Sequence, residues 1–425
     1  MIRIPHFAAA ALLWLASVAM AQNPQREVLP DSVVPTHYDL ALSADAAALT
    51  FSGKVAVTID VRAATRDVVL NAVGLTLAHA TVDGGPDATV TLEQKTGRAA
   101  LHFPAALSKG QHTLSIVYTG KIGRTTSGFF AMDYVSPNGP RRTLATNFEP
   151  AYARELLPCW DEPGRKATFT VSVDVPKDQT AFSNMPVAEV TPLSGKMQRV
   201  RFAESPKMST YLLFLGVGDF ERIHKSVDGV DVGVVVKRGD TPKAAYALEQ
   251  AVGLLHYYND YFGVPFPLPK LDLIAAPGAI DGGSMENWGA IFYSQHHLLF
   301  DAARSTESDR REVFLVVAHE MAHQWFGDLV TMAWWDNLWL NEGFARWMQT
   351  FAADDLHREW QTGLLAASIF ERGKETDASS STHPVVQQVL TADQADQAFD
   401  NITYDKGAAI ITMMNAYVEI GRAHV

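Results

Sequence analysis

The chain has 425 residues, 47% of them apolar and 19% charged, a balance that excludes disorder and a length that suggests more than one core. Its net charge of −12 argues against nucleic acid as a partner, because a phosphate-binding face needs clustered Lys and Arg and no such run occurs. The single cysteine, Cys159, cannot form an internal disulfide and reads as a small buried hydrophobe.

In chain order, residues 1–21 read as a signal peptide. Arg3 precedes an apolar run from Phe7 to Met20, and Ala19-Met20-Ala21 offers small residues at a cleavage site after Ala21. The run is shorter than the roughly 20 residues that span a bilayer, and no later segment is long and apolar enough to do so. The expectation is an exported protein, periplasmic or extracellular, with no stable membrane span after cleavage.

From residue 29 to 220, short segments alternate apolar and polar. Val55, Val57, Ile59 and Val61 do so in KVAVTIDVR, and Phe169, Val171, Val173 and Val175 in ATFTVSVDV, the period of half-buried strands. Gly, Pro and Asp punctuate them, which predicts a mostly antiparallel β domain. From residue 221 to 425 the period becomes helical. Thr241-Pro242 supplies an N-cap and a first-turn proline for a helix to about Phe262, and LDLIAAP follows as a short buried strand. Further helices are predicted over 309–326, 338–353, 356–373 and 392–418. The fold class is therefore mixed: an N-terminal β domain, then an α/β, mostly helical domain.

The second of these predicted helices carries VVAHEMAHQWFGD, residues 316–328. Asp309 and Glu312 suggest a capping box before it, and Gly327 a stop after it. On a helix His319 and His323 lie about 40° apart around the axis and about 6 Å along it, so both imidazoles reach one ion. Zinc accepts neutral imidazole and, when catalytic, keeps an open position beyond three protein ligands. Glu342 in LWLNEGFARW offers the third. Glu320, turned off the line of the histidines, is placed to take a proton from an activated water and return it to the leaving amine. Trp325, Trp334, Trp335 and Trp339 read as core and cleft wall. His296-His297 lacks a carboxylate at useful spacing and reads as a structural or exposed pair.

These residues carry a resemblance. HEMAHQWFGDLVTMAWWDNLWLNEGFA is similar to the zinc aminopeptidases of the aminopeptidase N family, whose signature is H-E-x-x-H, eighteen residues, then E, the spacing of His323 and Glu342. GGSMENWGAIFY resembles the family's G-x-M-E-N exopeptidase motif, with Gly283, Ser284, Met285, Glu286 and Asn287 in its places. TNFEPAYARELLPCWDEP resembles the segment that precedes the family's active site. The likeness runs from about Tyr38 to about Val418.

The resemblance implies a saddle-like β domain followed by a thermolysin-like catalytic domain, one zinc per chain, and peptide substrates with a free N-terminus from which residues are hydrolysed. It implies that Glu286 and Glu149 bind the substrate's ammonium group, which is largely protonated near neutral pH. Asn147 stands where relatives often have a substrate-contacting glutamine. Tyr404, in NITYDKGAA, falls where the family has a tyrosine that donates to the tetrahedral oxyanion.

Family members normally continue into further domains. Here the chain closes on EIGRAHV, residues 419–425, which can be encoded by DNA containing the start of a widely used sequencing adapter. The expectation is a C-terminally truncated reading frame with a non-native tail. Two readings compete with the aminopeptidase. One is a related zinc hydrolase, either an endopeptidase or an epoxide hydrolase. The other is an inactive fragment or scaffold, against which the intact His319, Glu320, His323 and Glu342 argue.

Overall fold

In the computed structural model, which describes residues 26–136, 139–380 and 382–423, the alternating segments of the first half become strands. The leader reading, residues 1–21, lies outside the described residues. A seven-stranded sheet runs in the order Val187–Pro192, Met197–Phe202, Thr168–Pro176, Val33–Asp45, Thr50–Val61, Gly110–Lys121 and Thr76–Val82. Val55, Val57, Ile59 and Val61 all point into the core and are fully buried. Each such side chain contributes about 1.5–3 kcal/mol on leaving water.

One pairing departs from the antiparallel rule. Val33–Asp45 and Thr168–Pro176 run parallel, with Tyr38 opposite Phe169 and their rings stacked at 4.8 Å. Thr168–Pro176 is also covered on both faces, since Thr170 and Ser172 are buried alongside the apolar residues. Small hydroxyls tolerate that position because they can bond locally.

A second sheet orders Thr180–Ser183, Leu215–Gly218, Gly139–Asn147 and Gly128–Ser136. Its third strand ends at Asn147 and runs straight into Phe148 and Glu149, which delivers both polar residues to the edge of the β domain. A small sheet of Thr65–Asn71, Arg98–Leu107 and Thr89–Glu93 completes this half.

The second half is built on a mixed sheet ordered Phe220–Val227, Val230–Lys237, Lys270–Ala275, Ala290–Tyr293 and Ser284–Met285. The inner strands are parallel. All of Lys270–Ala275 is buried, as expected of a strand covered on both faces. Ser284–Met285 forms the edge, so the SMEN segment borders open space.

The helices are α1 (Thr241–Phe262), α2 (Gln295–Leu298), α3 (Glu307–His323), α4 (Leu338–Leu356), α5 (Thr362–Asp377), α6 (Ala392–Asp396) and α7 (Gly407–Ala423). Helix α1 has its proline in the first turn and Gly263 at φ 64° as a left-handed cap. The predicted capping box of α3 is corrected. Thr306 is the N-cap, accepting from the Asp309 N–H at 3.2 Å while Asp309 accepts from the Thr306 N–H at 2.6 Å. Asp309 is thus the reaching third residue of the box, and Glu312 is exposed one turn later.

Helix α3 also ends at His323, before the predicted stop, because His323 and Asn341 bond side chain to side chain and Gly327 turns the chain at φ 133°. The predicted helix over 392–418 is divided. The first piece ends at Asp396, and Asp400 Oδ1 accepts from the N–H groups of Ile402 and Thr403 at 2.9 and 3.0 Å, capping the start of the second. A π-turn over Ile402–Lys406 then leads into α7. None of the described helices is long and apolar enough to cross a membrane.

Candidate active site and metal centre

Helices α3 and α4 pack side by side and present their polar residues to one another. His319 Nε2 and His323 Nε2 lie 3.1 Å apart, and each is 3.3–3.4 Å from Glu342 Oε2. Tetrahedral zinc with ligands at about 2.0–2.1 Å separates its donor atoms by about 3.3 Å. The far sides of the rings fix which nitrogen is free. His319 Nδ1 donates to Gln349 Oε1 at 2.8 Å, and His323 Nδ1 donates to Asn341 Oδ1 at 2.7 Å and to the Phe326 carbonyl at 3.1 Å. With both rings neutral, each Nε2 atom turns a lone pair toward a carboxylate oxygen. Converging lone pairs repel unless a cation lies between them, so these residues fit a metal ion.

The charges agree. Burial and a second histidine draw His319 down to about 4, so it stays neutral near pH 7. Burial opposes ionisation of Glu342, but His323 and His319 outweigh it and hold that carboxyl below its usual range. Burial raises Glu320 well above the usual carboxyl value, with His323 opposing and Glu286 and Glu342 adding to the rise. Glu320 is buried among these groups with oxygens close to both His323 and Glu286. Without a cation, this pocket holds its carboxyls only by keeping some of them protonated.

A second group of carboxylates adjoins the ligands. Oxygens of Glu149, Glu286 and Glu342 lie within 4.8 Å of one another. Glu149 Oε1 is buried without a hydrogen-bond partner, and burial followed by the Glu286 charge raises its carboxyl well above the usual range. A buried carboxylate oxygen with no donor is costly. A ligand cation with N–H donors would relieve it.

Glu286 is tied to the metal helices twice. Asn341 Nδ2 donates to Glu286 Oε1 at 3.0 Å, and Gln324 Nε2 donates to the Glu286 carbonyl at 2.8 Å. Gln324 Oε1 in turn accepts from the Gly289 N–H at 2.9 Å. The SMEN segment is thereby registered on α3 and α4.

These groups line a cleft of about 590 Å³ between the β domain, the edge strand, α3, α4 and the chain around Tyr404. Asn147, Glu149, Ser284, Met285, Glu286, His319, Glu320, His323, Glu342 and Tyr404 are all on its wall. The Tyr404 ring stands near that of His319, centroids 6.2 Å apart and planes 21° from parallel. Burial first, and Glu342 next, push its hydroxyl well above the ordinary tyrosine value, so it remains a donor.

Gly283 and Asn287 are not on that wall. Gly283 has φ 89°, and a Cβ there would lie 2.6 Å from the His297 ring, so its part is to let the edge strand turn. Asn287 is fully buried with both amide atoms unbonded.

The sequence reading missed Gln324, Asn341, Gln349 and Arg346, none of which stands out by residue type. Helical spacing could have found two of them, since Arg346 and Gln349 follow Glu342 at i+4 and i+7 on its own face. His297 was read as structural or exposed. It is structural in bonding Gly283 O at 3.2 Å, yet it also lines the cleft. The tryptophans Trp325, Trp334 and Trp335 are core, and none of the four read as core or cleft wall reaches the cleft wall.

The fold and the site have counterparts among known proteins. Residues 34–212 match the Peptidase M1 N-terminal domain, and residues 246–422 match the Peptidase family M1 domain. Aminopeptidase N of Acetobacter pasteurianus is 49% identical over 321 residues, covering 75% of this chain and 90% of that protein. Aminopeptidase M1 of Arabidopsis thaliana is 40% identical over 401 residues, which are 92% of this chain and 45% of the relative. Endoplasmic reticulum aminopeptidase 1 of Homo sapiens is 39% identical, with 92% and 42% covered. The chain thus spans nearly all of the bacterial relative and less than half the length of the plant and human ones. Two adjacent family domains, in order and joined by one cleft, together with these identities, establish that the chain belongs to peptidase family M1.

Proposed function

We propose that this chain is a zinc-dependent aminopeptidase that hydrolyses the first residue from peptides with a free N-terminus. The observation that carries the reading is the meeting of two charge patterns in one cleft. A metal-ligand set of His319, His323 and Glu342 stands beside a carboxylate pair, Glu149 and Glu286, in which Glu149 Oε1 is buried without a donor.

His319, His323 and Glu342 would hold one zinc, which would lower the pKa of a bound water to about 7 and polarise a peptide carbonyl. Glu320 accepts the proton that the attacking water loses and delivers it to the departing amine. Tyr404 donates its hydroxyl proton in a hydrogen bond to the oxygen that becomes negative. Glu149 and Glu286 accept hydrogen bonds from the substrate ammonium, which sets the scissile bond one residue from the chain end. Ser284 and Met285, on the sheet edge, are placed to pair with the substrate backbone, and Asn147 to meet its first residues.

The same proposal includes export. The apolar run Phe7–Met20 and the Ala19-Met20-Ala21 pattern support it, and a mature protein beginning at Gln22 is the expected result of N-terminal sequencing. For the chemistry, the test is metal dependence. Chelation is expected to abolish peptide cleavage and one equivalent of zinc to restore it; cleavage that persists in the fully metal-free chain would contradict the assignment.

A further inference from the structure

The geometry points to a positioning device behind Tyr404: the buried Asp405 carboxylate, gripped by Arg346 from α4 and Arg372 from α5, fixes where the Tyr404 hydroxyl stands. This rests on the reading of Tyr404 as the oxyanion donor.

Tyr404 does not sit on a regular helix. It belongs to the π-turn Ile402–Lys406, in which the Tyr404 N–H keeps a four-residue bond to the Asp400 carbonyl at 3.0 Å while the Gly407 N–H reaches back five residues to Ile402. The widened turn is held from outside as well. Two glycines set the depth of the turn between its neighbours. A Cβ on Gly343, the residue after the ligand Glu342, would lie 3.0 Å from Gly407 Cα and 3.1 Å from the Thr403 carbonyl. A Cβ on Gly373, beside Arg372, would lie 3.1 Å from Lys406 N. The backbone of the turn is therefore wedged between α4 and α5 at a range that a Cβ would reach only by pushing its neighbour back.

Wedging fixes distance but not rotation. Asp405 supplies the second restraint. It is 1% exposed; Arg346 Nε donates to Oδ1 at 3.2 Å, and Arg372 Nε stands at ion-pair distance, 3.4 Å, from Oδ2, which accepts no hydrogen bond. Arg346 follows Glu342 by one helical turn and also lines the cleft, so the helix that carries a metal ligand also holds the tyrosine turn. The entry to the turn is tied as well, the Thr403 hydroxyl donating to the Ala398 carbonyl at 2.7 Å. A buried ion pair of this kind costs desolvation and is a weak source of net stability. What it supplies here is a single orientation.

The experiment uses the zinc-loaded full chain and Tyr404→Phe, Asp405→Asn, Arg372→Gln, Arg372→Lys and the Tyr404→Phe/Asp405→Asn double variant. Read-outs are kcat and KM on a free-amine peptide, zinc content, thermal midpoint, and direct binding of an amino-phosphinate peptide analogue whose tetrahedral P–O⁻ imitates the oxyanion. Displacement of a donor by a fraction of an ångström predicts a fall in kcat of about tenfold or more for Asp405→Asn, with KM changed by less than about twofold. Zinc content stays at the wild-type level, phosphinate binding weakens in step with kcat, and the double variant is no slower than Tyr404→Phe by more than about twofold.

Arg372 is half exposed, 49%, so Arg372→Gln is the variant to use if Asp405→Asn does not fold. It is expected to give a smaller fall of the same kind, largely restored by Arg372→Lys. A folded Asp405→Asn or Arg372→Gln chain with unchanged kcat overturns the clamp. So does a double variant whose losses multiply, while leaving the tyrosine reading intact. Wild-type kcat in Tyr404→Phe removes the oxyanion reading itself, and the clamp's part in turnover with it.

Discussion

The two walls of the cleft are built differently. On one wall, α3 and α4 hold His319, His323 and Glu342 within a closed set of buried hydrogen bonds through Gln349, Asn341 and Gln324, and little on that wall is left to adjust. On the other, Tyr404 comes from residues 362–423, where Leu364 is 72%, Met413 72% and Tyr417 80% exposed. That segment is packed on one side and bare on the other. The contrast teaches that, on the roles proposed above, metal binding and oxyanion stabilisation would rest on parts of different solidity.

The largest expected effect lies on the solid wall and leaves it solid. Glu320→Gln keeps every ligand and removes the proton acceptor, so turnover should fall by about 10²- to 10⁴-fold while bound zinc, measured by elemental analysis, stays at one per chain. Full activity in that variant would falsify the general-base role. Next is Tyr404→Phe, which removes one donor from the other wall and should cost about 10²- to 10³-fold in kcat, again with zinc intact. Equal loss of zinc in both variants would erase the contrast.

Asn341→Ala sharpens it from the other direction. It frees the His323 ring and the Glu286 carboxylate together, so zinc affinity should weaken by about 10- to 100-fold, read by competition with a chelating dye. An unchanged affinity would mean that Asn341 does not orient the ligand. Hydrogen exchange offers the same comparison without mutation. Removing the metal should raise exchange in α3 and α4 more than in α5 and α7, since the bare helices open locally whether or not zinc is present.

The smallest effect is a pH dependence on the looser wall. His383 Nε2 lies 2.7 Å from Asp400 Oδ2, and although burial opposes it, the bond to Asp400 raises the His383 pKa above its ordinary value. A raised folded-state pKa contributes stability that is complete below about 6.5, the ordinary histidine value, and is lost as the pH climbs through the folded value. His383→Gln should therefore lower the thermal midpoint more at pH 5.5 than at pH 8.5. The reverse order would show that the pair does not act as an ion pair.

How much of this was legible beforehand follows the physics of each signal. The strand at Thr50–Val61 and the pair His319 and His323 were readable because their periods, two and four, are local properties of the chain. The family motif carried Glu149, Glu286 and Tyr404, which no period marks. The division of the predicted 392–418 helix was hidden, since it depends on Asp400 capping a turn and on Gly407 meeting Gly343 across space. Asn341 and Gln349 were unreadable for the same reason: an amide on a helix becomes a ligand's partner only when a second helix brings the imidazole to it. The capping box slipped by one role because Asp serves equally as N-cap and as third residue, and only Thr306 decides between them.

The central claim is that the carboxylates beside the metal read a free amine. It is tested most directly by giving the purified, zinc-loaded chain one peptide in two forms, free and N-acetylated, and following both by mass spectrometry. The account predicts stepwise loss of N-terminal residues from the free form and none from the acetylated one. Cleavage of both at similar rates would contradict it and remove Glu149 and Glu286 from the role assigned to them.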